Sequence, residues 1–227
     1  GEHAAYHDVK YDPFWEVCQD LGIVIHFHSG PAPHSEYFGP AFPTEDRSDE
    51  LPGAMGAYVS EVMFWLYRPL TFMLWGGVFE RFPRLKAMVV EGGTMFMVPS
   101  WLMLLDHNYT DVQFSAKLGD FRSHLSMAPS EYFARNCGIG ASCVPRRDLD
   151  MKDQIGLNQI MWGSDFPHPE GTWPNTAQYY IDTFRGFDAD AGRQILGENA
   201  IQFYGLDGDY LNSLAADIGP STSIFNG

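Results

Sequence analysis

Positive charge is scarce in this chain. Of its 227 residues, 14 are Lys or Arg and 29 are Asp or Glu, for a formal net charge of −15. Nucleic acid and anionic membrane both require basic protein surface, so neither is an expected partner. Cysteine is also sparse, at Cys18, Cys137 and Cys143. An odd, scattered set without Cys-x-x-Cys spacing excludes a disulfide framework and a zinc ribbon. It reads as free thiols in a reducing compartment, the cytoplasm. Cys18 sits in a helical apolar pattern, and Cys137 and Cys143 flank Gly138-Ile139-Gly140-Ala141 in a strand-like stretch; all three read as packing residues. Gly, Pro or charge interrupts every apolar run short of the roughly 18 residues of a membrane span. The opening Gly1-Glu2-His3-Ala4-Ala5-Tyr6-His7 has no basic segment followed by an apolar one, so no secretory leader is expected.

What is present is enough for one sizeable core: 45% hydrophobic residues and 15% aromatics in one domain's length. Asp12-Pro13 opens a helix that Gly22 stops, with Phe14, Val17, Cys18 and Leu21 on one face. An apolar strand, Ile23 to His28, follows at once. Residues 29–53 form a Gly-, Pro- and Ser-rich loop containing His34, long enough to be a candidate lid. A helix from Ala54 to about Arg81 should break near Pro69 and again at Gly76-Gly77. The next strand, Leu85 to Glu91, ends in a carboxylate and Gly92-Gly93, which is too short for a phosphate loop. Met95 to about Tyr109 reads as helix, Asn136 to Ser142 as strand, Asp148 to Gly156 as a short helix and Gln159 to Gly163 as strand. Asn175 to Phe184 is helical, as are Asp188 to Leu196 and Glu198 to Tyr204, split at Gly197. The tail, 207–227, reads as a weak helix with a mobile end. Strand and helix alternate, which argues for a parallel sheet wrapped by helices.

Chemistry-bearing residues gather at the carboxyl ends of these strands, where an α/β barrel keeps its active site. Asp165 closes the run Gln159-Ile160-Met161-Trp162-Gly163-Ser164. His28 closes Ile23-Val24-Ile25-His26-Phe27. An imidazole and a carboxylate on two such ends can share a metal ion. His26 faces the same side one layer deeper, and is expected to be a buried, hydrogen-bonded histidine or an outer partner of a ligand. Glu91 holds the corresponding place on another strand, with helix capping as the competing role. His168 and Glu170, in the Pro-rich loop beyond Asp165, are candidates for substrate contact, although loop residues of this kind are commonly just solvated.

Three phrases carry a family resemblance. Leu21-Gly22-Ile23-Val24-Ile25-His26-Phe27-His28-Ser29-Gly30 resembles the fifth-strand segment of the amidohydrolase-related proteins, the metal-dependent hydrolases and decarboxylases of the amidohydrolase superfamily. Gly77 to Lys86 followed by Val89-Val90-Glu91-Gly92-Gly93 is similar to the segment entering their sixth strand. Ile160-Met161-Trp162-Gly163-Ser164-Asp165-Phe166-Pro167-His168-Pro169 is similar to their eighth-strand signature. Ile195-Leu196-Gly197-Glu198-Asn199-Ala200 resembles the helix that closes the barrel. The resemblance implies a (β/α)8 TIM barrel, of which residues 1–227 carry about the last four strands. It implies one divalent ion, zinc as first choice and manganese as second, with His28 and Asp165 as ligands. Many relatives carry histidine where this chain has Glu91. Their first strand supplies further ligands in a short motif ending in histidine, which this chain lacks; His3 and His7 lie in the wrong place for it.

Three functions follow from that resemblance as expectations. The first is metal-dependent hydrolysis of a small organic substrate, Asp165 taking a proton from a metal-activated water and returning it to the leaving group. The second is non-oxidative decarboxylation of an aromatic or dienoic carboxylic acid, Asp165 protonating the carbon and Arg68 or Arg135 meeting the carboxylate. The third is an inactive fragment or interaction module. A homo-oligomer or a complementing barrel half is the expected protein partner, since half a barrel exposes sheet edges.

Overall fold

A computed structural model describes residues 4–28, 34–39, 52–91, 96–111 and 116–226. Four strands form one parallel sheet in sequence order: β1 (Val24–Phe27), β2 (Lys86–Val90), β3 (Cys137–Ser142) and β4 (Ile160–Gly163). The pairings run Phe27↔Val89, Val90↔Gly140 and Ser142↔Gly163, so all four carboxyl ends meet at one rim. β2, β3 and β4 are short runs with buried residues, as expected when both faces of a parallel sheet are covered, whereas β1 has no buried residue. Ala87, Val89, Ile139, Ala141 and Ile160 are fully buried and join one core with Leu66, Leu70, Met73, Leu74, Phe79 and Phe133 from the connecting helices. Among the described residues no helix is long and apolar enough to cross a membrane.

Several expectations are corrected. In the helix Asp12–Leu21 the buried residues are Trp15 and Cys18, while Phe14, Val17 and Leu21 are exposed. Asp12 is the first helical residue, and its carboxylate takes a two-pronged bond from Arg81, with Nε at 2.9 Å and Nη2 at 2.8 Å. The helix Ala54–Trp75 runs through Pro69 without stopping. Its buried side, with Leu66, Tyr67, Leu70, Met73 and Leu74, straddles the proline, and that packing outweighs the lost hydrogen bond. Gly76 and Gly77 do end it, and Val78–Arg81 follows as a separate turn. The stretch Asp148 to Gly156 divides into two short helices, Arg146–Leu149 and Lys152–Ile155. Gly197 splits nothing: a π-helical turn, Gln194–Glu198, joins Ala189–Arg193 to Asn199–Tyr204. The tail is not loose. After the helix Gly208–Ile218, the turn Thr222–Phe225 returns to the body, where the Phe225 carbonyl accepts from the Gly186 amide at 3.0 Å and its ring meets Phe184 edge-on.

Two buried asparagines fix where strands begin. Asn136 donates through Nδ2 to the carbonyls of Pro83 (3.0 Å) and Leu85 (2.8 Å), just ahead of β2. Asn199 does the same for β4, donating to Leu157 and Ile160, each at 2.8 Å. Each amide satisfies backbone acceptors that a buried parallel strand leaves at its entrance.

Candidate metal centre

The rim gathers most of the residues singled out from sequence. His28 lies just past β1, and its Nε2 is 2.9 Å from Glu91 Oε2, just past β2. Glu91, Asp165 and His168 each offer a ligand atom, and the three atoms lie within 4.8 Å of one another; among the described residues this is the only such trio. His28 therefore reaches the group through Glu91, and Asp165 reaches it from the far side of the sheet.

The local backbone explains the convergence. Among the described residues, three that are not glycine have left-handed φ: Glu91 at 57°, Cys143 at 50° and Asp165 at 58°. They follow β2, β3 and β4 respectively. That conformation costs a residue with a Cβ on the order of 1–2 kcal/mol. Here it bends the chain just past each strand, and it accompanies the approach of Glu91 and Asp165 to each other. The segment after Asp165 folds into two tight turns, with the His168 amide donating to the Asp165 carbonyl at 2.8 Å and the Gly171 amide to His168 at 2.9 Å. The Thr172 amide, donating to the Ser164 carbonyl at 2.9 Å, closes the loop. His168 is thus folded back onto Asp165, with Nδ1 at 3.4 Å from Oδ2. The Phe166-Pro167 and Trp173-Pro174 peptides in this stretch are cis.

The remaining candidates fall elsewhere. The Glu170 amide donates to His168 Nδ1 at 3.3 Å and its carbonyl accepts from Cys143 Sγ at 3.6 Å, so Glu170 serves the loop through its backbone. Among the described residues His26 is exposed, against the expectation of burial. It is hydrogen-bonded as expected. The Tyr204 hydroxyl lies 2.9 Å from His26 Nε2 and 2.9 Å from Met88 Sδ. Partial desolvation there lowers the His26 pKa from its ordinary value. Arg135 is occupied at the opposite end of the sheet by the Phe79 carbonyl and Asn136 Oδ1. Arg68 stacks on Trp65 and Phe72 in an aromatic cleft that no rim residue lines. Of the candidate lid, residues 34–39 and 52–53 are described, and the rest lies outside the described residues, as do Gly92 and Gly93. His34 begins a short helix and sits 3.3 Å from the Tyr58 hydroxyl.

Cys143, expected as a packing residue on a strand, is part-buried and lies one residue past β3, at the place Glu91 holds past β2. Burial first, and then the carboxylates of Asp165 and Glu170, push its thiol pKa up. The available signal was positional: Ser142-Cys143 ends an apolar run as Val90-Glu91 does. Cys137, by contrast, is a buried strand residue.

The amidohydrolase family model matches residues 1–206. The chain belongs to the amidohydrolase family. It is 24% identical over 205 residues to the 2-amino-3-carboxymuconate-6-semialdehyde decarboxylase of Dictyostelium discoideum, covering 88% of this chain and 50% of that protein. Among solved structures it resembles 5-carboxyvanillate decarboxylase from Sphingomonas paucimobilis, with a TM-score of 0.66 and 22% identity over 90% of this chain and 56% of that one. It also resembles a dihydroxybenzoic acid decarboxylase from Polaromonas sp., solved with bound manganese and the inhibitor 2-nitroresorcinol, with a TM-score of 0.59 and 19% identity over 88% of this chain and 55% of that one. The four-stranded parallel sheet is accordingly part of an amidohydrolase barrel, and the chain spans about half the length of the relatives it matches.

Proposed function

We propose that this protein is a metal-dependent, non-oxidative decarboxylase of a small aromatic or dienoic carboxylic acid, with His28 and Asp165 among the ligands of one divalent ion. The metal reading rests on the rim itself. Glu91, Asp165 and His168 gather there, with His28 against Glu91, and imidazole and carboxylate are donor types that divalent zinc and manganese accept. A bound ion would supply positive charge that orients a substrate carboxylate and a neighbouring hydroxyl.

The chain's own part is proton handling. In decarboxylation the C–C bond breaks, carbon dioxide leaves, and the electron pair stays on the ring or chain carbon, which must take a proton. Asp165 stands at the rim, where it would take up a proton from water or from the substrate's own hydroxyl and pass it to that carbon. The observation that favours this over hydrolysis, the first expectation from sequence, is that the muconate, vanillate and benzoate relatives are all named as decarboxylases. Manganese in the benzoate relative supports a divalent ion without separating it from zinc.

The test is chemical. The purified protein, loaded with Mn2+, should release carbon dioxide from a hydroxybenzoate and, in D2O, place deuterium on the carbon that lost it. Asp165→Asn should abolish both. Uptake of labelled water oxygen into product, with no carbon dioxide, would overturn the reading in favour of hydrolysis.

A further inference from the structure

We infer that the aromatic cleft between the helices Ala54–Trp75 and Met97–Thr110 docks a second copy of this chain, with the two Ala54–Trp75 helices antiparallel across a two-fold axis. The inference is independent of the chemistry proposed above.

Each of the two helices turns one face to the core. Leu66, Leu70, Met73 and Leu74 bury that face of the first, and Pro99 and Leu102 that of the second. Their other faces wall a cleft of about 1000 Å3, with Phe64, Trp65 and Phe72 on one side and Phe96, Trp101 and Leu104 on the other. Phe64 is 63% exposed, Leu104 57% and Phe96 51%. Large apolar side chains exposed together, rather than singly, mark a surface that another molecule covers. Aromatic residues and arginine are the types enriched at protein interfaces, and this cleft holds both.

The charges select the occupant. Glu61 and Arg68 line the same cleft, and both are exposed. They stand seven residues apart, which is two helical turns, so they project from one face about 10.5 Å apart. The Arg68 guanidinium lies over the Trp65 and Phe72 rings, 5.1 and 5.2 Å from their centroids, and among the described residues it has no carboxylate partner. The Tyr37 hydroxyl donates to Glu61 Oε2, which leaves Oε1 for a cation. An acidic partner would satisfy Arg68 and set a like charge against Glu61; a basic partner would do the reverse. A second copy satisfies both, because a two-fold interface is self-complementary: if residue i meets residue j of the partner, j meets i in return. Antiparallel helices related by an axis between Phe64 and Trp65 set Glu61 against the partner's Arg68 twice, once on each side. Phe64 then meets its own counterpart at the axis.

The experiment is sedimentation equilibrium of the full 227-residue chain. Wild type should form a dimer, and Phe64→Glu should raise its dissociation constant more than a hundredfold. Arg68→Glu and Glu61→Arg should each raise it more than tenfold, by setting like charges across the axis. The double variant carrying both exchanges should return to within about threefold of wild type, a rescue that a merely structural role for either residue would not give. A double variant no tighter than the single ones would overturn the antiparallel register and the inference with it. So would a wild type that stays monomeric up to its solubility limit, or a dimer that Phe64→Glu leaves intact, which would place the contact at the sheet edges. A monomer whose tryptophan fluorescence is quenched by benzoate in an Arg68-dependent way would overturn it too, making the cleft a site for a small acid. Should a variant fail to fold, as judged by circular dichroism, cross-linking decides: Phe64→Cys, oxidised with copper phenanthroline, should yield more disulfide-linked dimer than wild type, and no excess would refute the inference.

Discussion

Asn199→Ala gives the sharpest test of how the rim is held in place. Asn199 is only 2% exposed, and its Nδ2 donates to the carbonyls of Leu157 and Ile160, both at 2.8 Å. Alanine removes both donors and brings in no water to replace them. Each net hydrogen bond is worth about 1 kcal/mol, and a buried carbonyl left unpaired costs about 1–3 kcal/mol more, so the expected loss is about 3 kcal/mol. For a chain of this size that corresponds to a fall in Tm of about 6–12 °C. Urea unfolding followed by circular dichroism gives the free energy, and a thermal scan gives the shift. Asn199→Asp is the companion variant. It keeps the size but replaces a donor with an acceptor facing two carbonyls, so it should be at least as damaging. Because the asparagine fixes the entrance of the strand that leads to Asp165, both variants should also weaken Mn2+ binding. A loss below about 1 kcal/mol in both would refute the claim that these bonds anchor β4, since two made and satisfied bonds cannot be worth less than one.

Other predictions follow from the same contacts. Gly171→Ala should lower Mn2+ affinity at least tenfold by titration, because its Cβ would lie 2.8 Å from the Asp165 and Ser164 carbonyls and force the loop open; Gly163→Ala, whose Cβ would meet nothing closer than 3.7 Å, is the control and should bind normally. Glu80 should contribute to acid sensitivity. Bonds from the Tyr132 and Ser126 hydroxyls hold its carboxylate pKa below the ordinary glutamate value. A depressed folded pKa means a contribution present above the unfolded value and lost as pH falls through the folded one. Glu80→Gln should therefore be less stable than wild type at neutral pH and converge on it at acid pH, as read by urea midpoints across that range; a constant gap would refute the assignment. Leu70→Ala, at a fully buried position, should cost about 2–5 kcal/mol in urea unfolding.

Much of this was legible in the amino-acid order. The four strands are where they were expected because a buried parallel strand must be a short apolar run, and Lys86–Val90 and Ile160–Gly163 are such runs set between polar turns. The places of His28 and Asp165 just past β1 and β4 follow from the same reading, since each stands after an apolar run. What escaped depends on neighbours that periodicity cannot see. A count of apolar residues puts Phe14, Val17 and Leu21 inward, but the body of the protein takes Trp15, the largest side chain available. Pro69 reads as a break, and packing on both sides of it carries the helix through. His168 could be listed as a loop residue, but only the fold of two successive turns shows that it returns to Asp165. Cys143 was hidden by its own chemistry, because a thiol in an apolar stretch looks like core until the chain is seen to bend there.

That bend makes Cys143 useful at the bench. Cys18 and Cys137 are sealed in the interior, so among the described residues Cys143 is the one reachable sulfhydryl, and it stands just past β3. A maleimide fluorophore or nitroxide spin label would attach there without any engineered residue, in a mildly alkaline buffer that offsets the raised thiol pKa. Paramagnetic broadening of such a label by Mn2+ would then measure how far the ion sits from a fixed landmark.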